Sequence, residues 1–282
     1  MEKRILTIQD ISCVGQCSLT VALPILSACG IETAILPSAV LSTHTSGFKG
    51  FTVLPMTKEL SRISTHWVKE NIAFDCVYTG YILEEQFDVV DDIISKFNHG
   101  LKIIDPVMAD NGEFYYGFDK SFALKMSKLC NHADVILPNL TEAAFLLGEK
   151  PVLCGYDEKY IENILCCLVK KLNVKSVVLT GVSFDVDKLG VAIFDQGTIR
   201  YYFSKRITRN FHGTGDIYSS AFTGALLNNI CVYDSAKIAV DYTVKAMKHT
   251  LPYAEGHGYG VFFEEVLPEL VDKIKINKGA VK

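Results

Sequence analysis

The segment Phe211-His212-Gly213-Thr214-Gly215-Asp216 carries the residue types best suited to chemistry. It precedes an apolar run from Ile217 to Leu227 that reads as a helix. A glycine-rich turn feeding a helix presents unpaired backbone N–H groups, and the helix dipole adds partial positive charge there. Gly213 and Gly215 let that backbone approach an anion closely. A transferring phosphoryl group needs such a cradle as charge spreads over its oxygens. Asp216, at the helix start, could accept the proton of an attacking hydroxyl. The same residues also read as a helix cap, since Thr-Gly-Asp before an apolar run is a capping arrangement. The motif alone does not separate these readings.

Other polar residues gather where short apolar runs end. Strand-like runs are expected at Ile5–Ile8, Thr33–Leu36, Cys76–Tyr78, Leu101–Ile104, Val135–Leu137 and Val177–Leu179. Between them lie amphipathic stretches at Leu19–Cys29, Lys58–Asn71, Glu85–Phe97, Phe122–Cys130, Thr141–Leu147 and Glu158–Leu172. This alternation predicts parallel strands with helical crossovers. Val191–Phe194 and Ile199–Phe203, joined by Asp195-Gln196-Gly197-Thr198, predict an antiparallel hairpin. The expected architecture is a three-layer α/β/α sandwich with a mostly parallel central sheet and an antiparallel edge. No repeat or linker interrupts the chain, so one domain over 1–282 is expected.

In open α/β sheets ligands sit beyond the carboxyl ends of the strands. The residues that follow the predicted strands are Asp10 and Ser12; His44, Thr45 and Ser46; Gly80 and Tyr81; Asp105 and Asp110; Asn139 and Glu142; and Thr180 and Gly181. Acids, hydroxyls and glycines gathered at one rim predict a site for a polar ligand. Some of them serve equally well as helix caps, Thr141 among the candidates. Two common nucleotide motifs are absent: the sequence has no GxxxxGK[ST] loop, and no GxGxxG follows the first strand. Gly256-His257-Gly258-Tyr259-Gly260 reads mainly as a flexible connection before the last helix.

The 282 residues carry a net charge of −4, and the basic residues are scattered. Nothing in this balance favours nucleic acid or an anionic membrane surface as partner. No run of about eighteen apolar residues suggests a spanning helix. The Met-Glu-Lys-Arg start lacks the features of a signal peptide, so a cytoplasmic location is expected. Nine cysteines at irregular spacing point to reduced thiols. Small buried hydrophobes are the expected role for all nine. Cys13 and Cys17 also follow the first strand, which puts them near the proposed site. Trp67 sits in a helical pattern and is expected to pack.

Taken in order, several blocks resemble one family. Gly213-Thr-Gly-Asp216 before a helix of small residues resembles the signature of the ribokinase-like superfamily. Ile8-Gln-Asp10, Ser42-Thr-His-Thr45, Thr79-Gly-Tyr81, Asp105-Pro-Val-Met-Ala-Asp110 and Leu137-Pro-Asn-Leu-Thr-Glu142 resemble blocks of its pyridoxal kinase branch. The resemblance implies ATP-dependent phosphorylation of the 5′-hydroxymethyl group of a B6 vitamer (pyridoxal, pyridoxamine or pyridoxine). It implies Asp216 as the base and the Gly213–Thr214–Gly215 backbone as the anion hole. Asp10, Ser12, His44, Thr45 and Tyr81 would face the substrate. Asp110, Asn139, Glu142, Thr180, Gly181 and His212 would lie on ATP, with Asp105 and Glu142 near Mg²⁺. A monovalent cation such as K⁺ and a homodimer belong to the same expectation.

The sequence departs from the family pattern on the substrate side. Asp10 stands where serine is usual, Ala109 where glycine is usual, and Ser46-Gly47-Phe48 is altered. Three other functions are compatible with the fold. One is a kinase of hydroxymethylpyrimidine, a thiamine precursor, which uses the same centre. Another is a sugar or nucleoside kinase, disfavoured by the lack of an inserted lid sequence near the N-terminus. The last is a ligand-binding protein without activity, disfavoured by the presence of Asp216.

Overall fold

A computed structural model describes residues 3–280. The central sheet has nine strands, each short and β-branched or aromatic in the manner of buried strands. In chain order they are β1 (Arg4–Ser12), β2 (Glu32–Leu41), β3 (Val53–Pro55), β4 (Cys76–Thr79), β5 (Leu101–Ile104), β8 (Val135–Ile136), β9 (Ser176–Val182), β10 (Lys188–Asp195) and β11 (Thr198–Lys205). Across the sheet the order is β11-β10-β9-β8-β5-β4-β1-β2-β3. The six strands from β9 to β2 run parallel, while β3 and the β10–β11 hairpin are antiparallel. A separate small hairpin pairs β6 (Ala109–Asp110) with β7 (Glu113–Phe114).

Alternate residues of the parallel strands enter two different cores. Ile5, Cys76, Tyr78, Ile103, Val135 and Val178 face one layer of helices. Leu6, Val77, Ile104, Ile136, Val177 and Leu179 face the other. The first layer contains α1 (Leu19–Ala28), α7 (Thr214–Leu227), α8 (Val232–Thr250) and α9 (Leu267–Ala280). The second contains α2 (Thr57–Lys69), α3 (Phe87–Lys96), α4 (Lys120–Cys130), α5 (Leu140–Leu147) and α6 (Glu158–Leu172). This is the expected three-layer sandwich, with an antiparallel strand at each edge rather than at one. Among the described residues, no helix is long and apolar enough to cross a membrane.

Several local expectations need correction. The strand around Val177–Leu179 continues to Val182, so Thr180 and Gly181 lie within β9 and not after it. Pairing with β10, which sets Thr180 opposite Val191, carries the strand beyond the parallel block. β2 runs through Pro37 to Leu41, past the predicted end at Leu36. The register between β1 and β2 slips between Gln9 and Ile11, opposite Pro37–Val40, so Asp10 sits at the irregularity. Such slips re-aim a side chain and are common beside active sites. The cysteines are not uniformly buried: Cys29, Cys76 and Cys130 are, but Cys13, Cys154, Cys166, Cys167 and Cys231 are exposed. Trp67 packs edge-on against Phe74, as expected.

The parallel strands end stepwise at one rim. Backbone N–H groups of Gly80, Asp105, Leu137 and Thr180 donate to the carbonyls of Ile8, Thr79, Ile104 and Pro138 on the neighbouring strand ends. The chain leaves β1 to form β2 on one side, and β4 joins β1 on the other. That reversal opens a crevice at the strand ends. The head of α7 lies there.

Candidate active site

Gly213 is the N-cap residue of α7 and has a left-handed backbone, φ +78. A Cβ there would fall 2.2 Å from the backbone carbonyl oxygen of Gln16, so only glycine fits. No side chain caps this helix end. Its first N–H groups therefore face the crevice, where an anion is favoured. Asp216 lies in the first turn of the helix and is not its cap. The reading of Asp216 as the helix cap therefore does not hold.

The Asp216 carboxylate looks across to the loop between β1 and α1. The backbone N–H of Ser18 and the thiol of Cys17 lie close enough to favour its charged form. Burial pushes its pKa up to about 7, and repulsion from Asp10 adds to this, while the Ser18 and Cys17 donors oppose it. A carboxylate poised near neutral pH is suited to proton transfer. Burial, and then the neighbouring Asp216, push the Cys17 thiol well above its ordinary value. Cys17 is thus a thiol donor at this site and not a reactive thiolate.

Asp10 is 3% exposed. Its Oδ2 accepts the Ser12 hydroxyl at 2.8 Å. Burial raises its pKa, with Ser18 and Ser12 opposing. Tyr81, after β4, is close enough for Asp10 to influence its phenol, which burial chiefly pushes up to about 12. The Tyr81 ring lies 5.5 Å from that of Phe118. Asp10 is thus close to both Tyr81 and Asp216, and Ser12 bonds to it. At Gly80 a Cβ would meet the Gln9 side chain at 2.9 Å, which explains a glycine just before Tyr81.

His44 is buried at the same rim. Its Nδ1 accepts the Ser46 N–H at 3.2 Å, so Nε2–H donates to the Tyr259 carbonyl at 2.7 Å. These bonds fix a neutral imidazole, and burial lowers its pKa in the same sense. Its ring stands 5.3 Å from His212 and 4.9 Å from Phe48. Thr45 and Ser46 follow and are partly exposed. The contact with Tyr259 corrects the expectation for Gly256–Gly260: the segment is tied to the substrate-side loops.

On the other side of α7, Asp105 is buried and Ser219 donates to its Oδ2 at 2.7 Å. Glu142 is buried too, and its oxygens accept N–H groups from Met108 at 3.1 Å and Asn139 at 2.9 Å. Asn139 caps α5, accepting from the N–H groups of Thr141 and Glu142, and donates to the Ala109 carbonyl. The cap of this helix is thus Asn139, not Thr141, whose hydroxyl accepts the Gly112 N–H instead. Burial pushes Asp105 up to about 8, with repulsion from Asp216 adding and the Ser219 bond opposing. Glu142 is raised well above its ordinary value by burial and by Asp105.

Among the described residues no group of three or more His, Cys, Asp or Glu side chains is arranged to hold a metal. Two buried, mutually repelling carboxylates still suit Mg²⁺, which usually takes one or two carboxylates and completes its shell with water and phosphate. Asp110 is exposed and lies close enough to His212 to stabilise its charged form against burial. Thr180 bridges to Asn139, and Gly181 beyond it is exposed with φ +77. The predicted site residues therefore fall into two groups on either side of Asp216. Sequence reading missed Ser18, Ser219 and Gln16, which act through backbone or long-range bonds. Three positive φ values in residues 15–18 identify this loop, but only the one at Gly15 has a glycine to signal it.

A family model described as phosphomethylpyrimidine kinase matches residues 23–260. A pyridoxal kinase from Dictyostelium discoideum is 29% identical over 244 residues, 79% of this chain and 78% of that protein. A Bacteroides thetaiotaomicron protein, assigned as a phosphomethylpyrimidine kinase and solved with pyridoxal, superposes with a TM-score of 0.90 at 33% identity, covering 96% of each chain. Pyridoxal kinase from Lactobacillus plantarum superposes with a TM-score of 0.88 at 30% identity, covering 96% of this chain and 97% of that one. With a glycine-bounded aspartate at the head of α7 and likenesses spanning nearly its whole length, the chain belongs to the phosphomethylpyrimidine kinase family.

Proposed function

We propose that this protein is an ATP-dependent kinase that phosphorylates the 5′-hydroxymethyl group of a B6 vitamer. The observation that carries the reading is Asp216: a carboxylate with its pKa near 7, beside an uncapped helix N-terminus and the Asp10–Tyr81 pocket. Asp216 takes the proton of the hydroxymethyl group as the oxygen attacks. The backbone N–H groups of Gly213, Thr214 and Gly215 receive the negative charge of the transferring phosphoryl group. Positioning and charge stabilisation of this kind account for most catalysis of phosphoryl transfer.

The substrate ring lies among Asp10, Ser12, His44, Thr45 and Tyr81, with Tyr81 offering an aromatic face. ATP lies along Asp110, Thr180, Gly181 and His212. Asn139 holds the head of α5 and Glu142 in place beneath it. Asp105 and Glu142 are the carboxylates that would hold Mg²⁺, directly or through water. When bound, Mg²⁺ neutralises charge on the phosphates. A single kinase domain over 1–282, a cytoplasmic location, a homodimer and use of K⁺ complete the reading.

The name of the matching family favours a second substrate, hydroxymethylpyrimidine. A coupled ADP-release assay across pyridoxal, pyridoxamine, pyridoxine and hydroxymethylpyrimidine separates the two. The expected result is the highest kcat/KM with a B6 vitamer. Turnover confined to hydroxymethylpyrimidine would replace the first reading with the second, and no turnover with any of them would remove both.

A further inference from the structure

The loop between β1 and α1 is closed at its base by pairing of Ile11 with Ser18. Within it Gly15, Gln16 and Ser18 all have positive φ, at +122, +50 and +55. Two of these residues carry side chains, so the conformation is sparsely populated and something must hold it. The Gln16 side chain does so from the outside. Its Nε2 donates to Glu264 Oε1 at 2.7 Å, and its Oε1 accepts from His257 Nε2 at 2.9 Å. The His257 ring is itself stacked on Phe262 at 3.8 Å. The Gln16 backbone carbonyl packs on Gly213, and its side chain packs on Gly260, where a Cβ would come to 2.5 Å of Oε1. The next two residues in the chain, Cys17 and Ser18, are the ones whose thiol and backbone N–H favour the charged form of Asp216, and Cys17 Sγ also packs on Gly213.

We propose that Gln16 is a positioning residue for the base. Its clasp to His257 and Glu264 holds the 13–18 loop where the Ser18 N–H and Cys17 thiol meet Asp216. The proposal rests on the kinase reading only in treating Asp216 as the base. It gives the Gly256–Gly260 segment a role, since that segment carries one arm of the clasp.

A pH profile reads the contact directly, because losing a donor to the charged carboxylate raises its pKa. The other titratable groups that face Asp216 are Asp10, Cys17, Tyr78, Asp105 and Tyr115. Of these only Cys17 belongs to the loop that the clasp holds, so a shift on loosening it reports the loop.

In Gln16→Ala, kcat is expected to fall about 10–100-fold, the scale of a misplaced reacting group, with KM for ATP within about twofold. The rise of kcat with pH should move upward. Gln16→Glu sets a carboxylate against Glu264 and should fall similarly. Adding Glu264→Gln restores a donor facing an acceptor, so the double variant should recover most of the loss. A second readout needs no turnover: alkylation of Cys17 by iodoacetamide, followed by peptide mass spectrometry with exposed Cys166 of α6 as reference. Gln16→Ala should speed Cys17 about tenfold relative to Cys166, as a freed loop uncovers a half-buried thiol. Unchanged kcat, pH profile and Cys17 rate in Gln16→Ala would overturn the proposal, as would a double variant no better than Gln16→Glu. If the unmodified protein phosphorylates none of the substrates, the kinase reading falls while the alkylation ratio still decides the clasp.

Discussion

The hydroxyl of Ser219 donates to Oδ2 of Asp105 at 2.7 Å, joining helix α7 to the end of the central strand β5. The two residues lie 114 positions apart in the chain. The carbonyl of Gly215, in the proposed anion-binding turn, lies within reach of the same hydroxyl, so the two acceptors share its single proton. A buried carboxylate on the proposed metal side and the turn proposed to receive phosphate thus meet at one hydroxyl.

Ser219→Ala should therefore cost both stability and nucleotide use. It leaves the buried Asp105 oxygen without its hydroxyl donor, a loss of about 1–3 kcal/mol. Urea unfolding should show a lower midpoint with an unchanged slope, the mark of a stability change alone. kcat/KM for ATP should fall more than KM for the vitamer changes, because Asp105 lies on the phosphate side. An unchanged urea midpoint would show that the bond contributes nothing.

Asp216→Asn keeps the shape of the site and removes the base. A general base contributes about 10²–10⁴ in rate. The variant should lose kcat on this scale, with KM for ATP and for vitamer within a few-fold, when ADP release is followed at pH 7.5. Wild-type turnover by this variant would remove the base assignment.

The raised pKa of Asp216 also sets the pH dependence. Its carboxyl titrates near 7 in the folded protein against an ordinary value of 3.8. kcat should rise with pH through about 7 as the base ionises. Stability moves in the opposite direction. Between these two values the folded state holds a proton that the unfolded state has released, so this group's contribution is full below 3.8 and is lost as pH rises through about 7. Asp216→Asn should consequently melt higher than the unmodified protein at pH 8, and the gap should shrink towards pH 5. A gap that is constant across this range would contradict the assigned shift.

Much of this architecture is legible in the sequence, for physical reasons. Parallel strands buried on both faces are short apolar runs, and the residues after them must share one rim; Asp10, Tyr81, Asp105 and Glu142 were found that way. Cys166 and Cys167 fall between the buried positions Ile164, Leu165 and Leu168 of α6, so a stricter reading of the helical period would have set them outside. Other features have no local signal. β9 extends through Gly181 because β10 pairs with it, a contact decided by the neighbour. The approach of Ser18 to Asp216 depends on positive φ values at Gln16 and Ser18, which neither residue type announces. The clasp between Gln16 and Glu264 spans 248 positions, beyond any local pattern.

Asp10 is the residue proposed to choose between substrates. Its carboxylate is buried and accepts the Ser12 hydroxyl, with Ser18 close enough to favour its charged form and Asp216 as a nearby like charge. A buried carboxylate is costly unless a cation or several donors balance it. A ligand amine entering the pocket would supply that balance, and pyridoxamine carries one where pyridoxal carries an aldehyde. Asp10→Ser removes the charge and keeps a hydroxyl. It should lower kcat/KM for pyridoxamine relative to pyridoxal, by about tenfold if the pair contributes about 1.4 kcal/mol. The same substitution removes a repulsive neighbour of Asp216, so the pKa of the base should fall and the rise of kcat should move to lower pH. If the ratio of the two vitamers stays the same while the pH profile shifts, Asp10 acts on the base alone and the amine is recognised elsewhere.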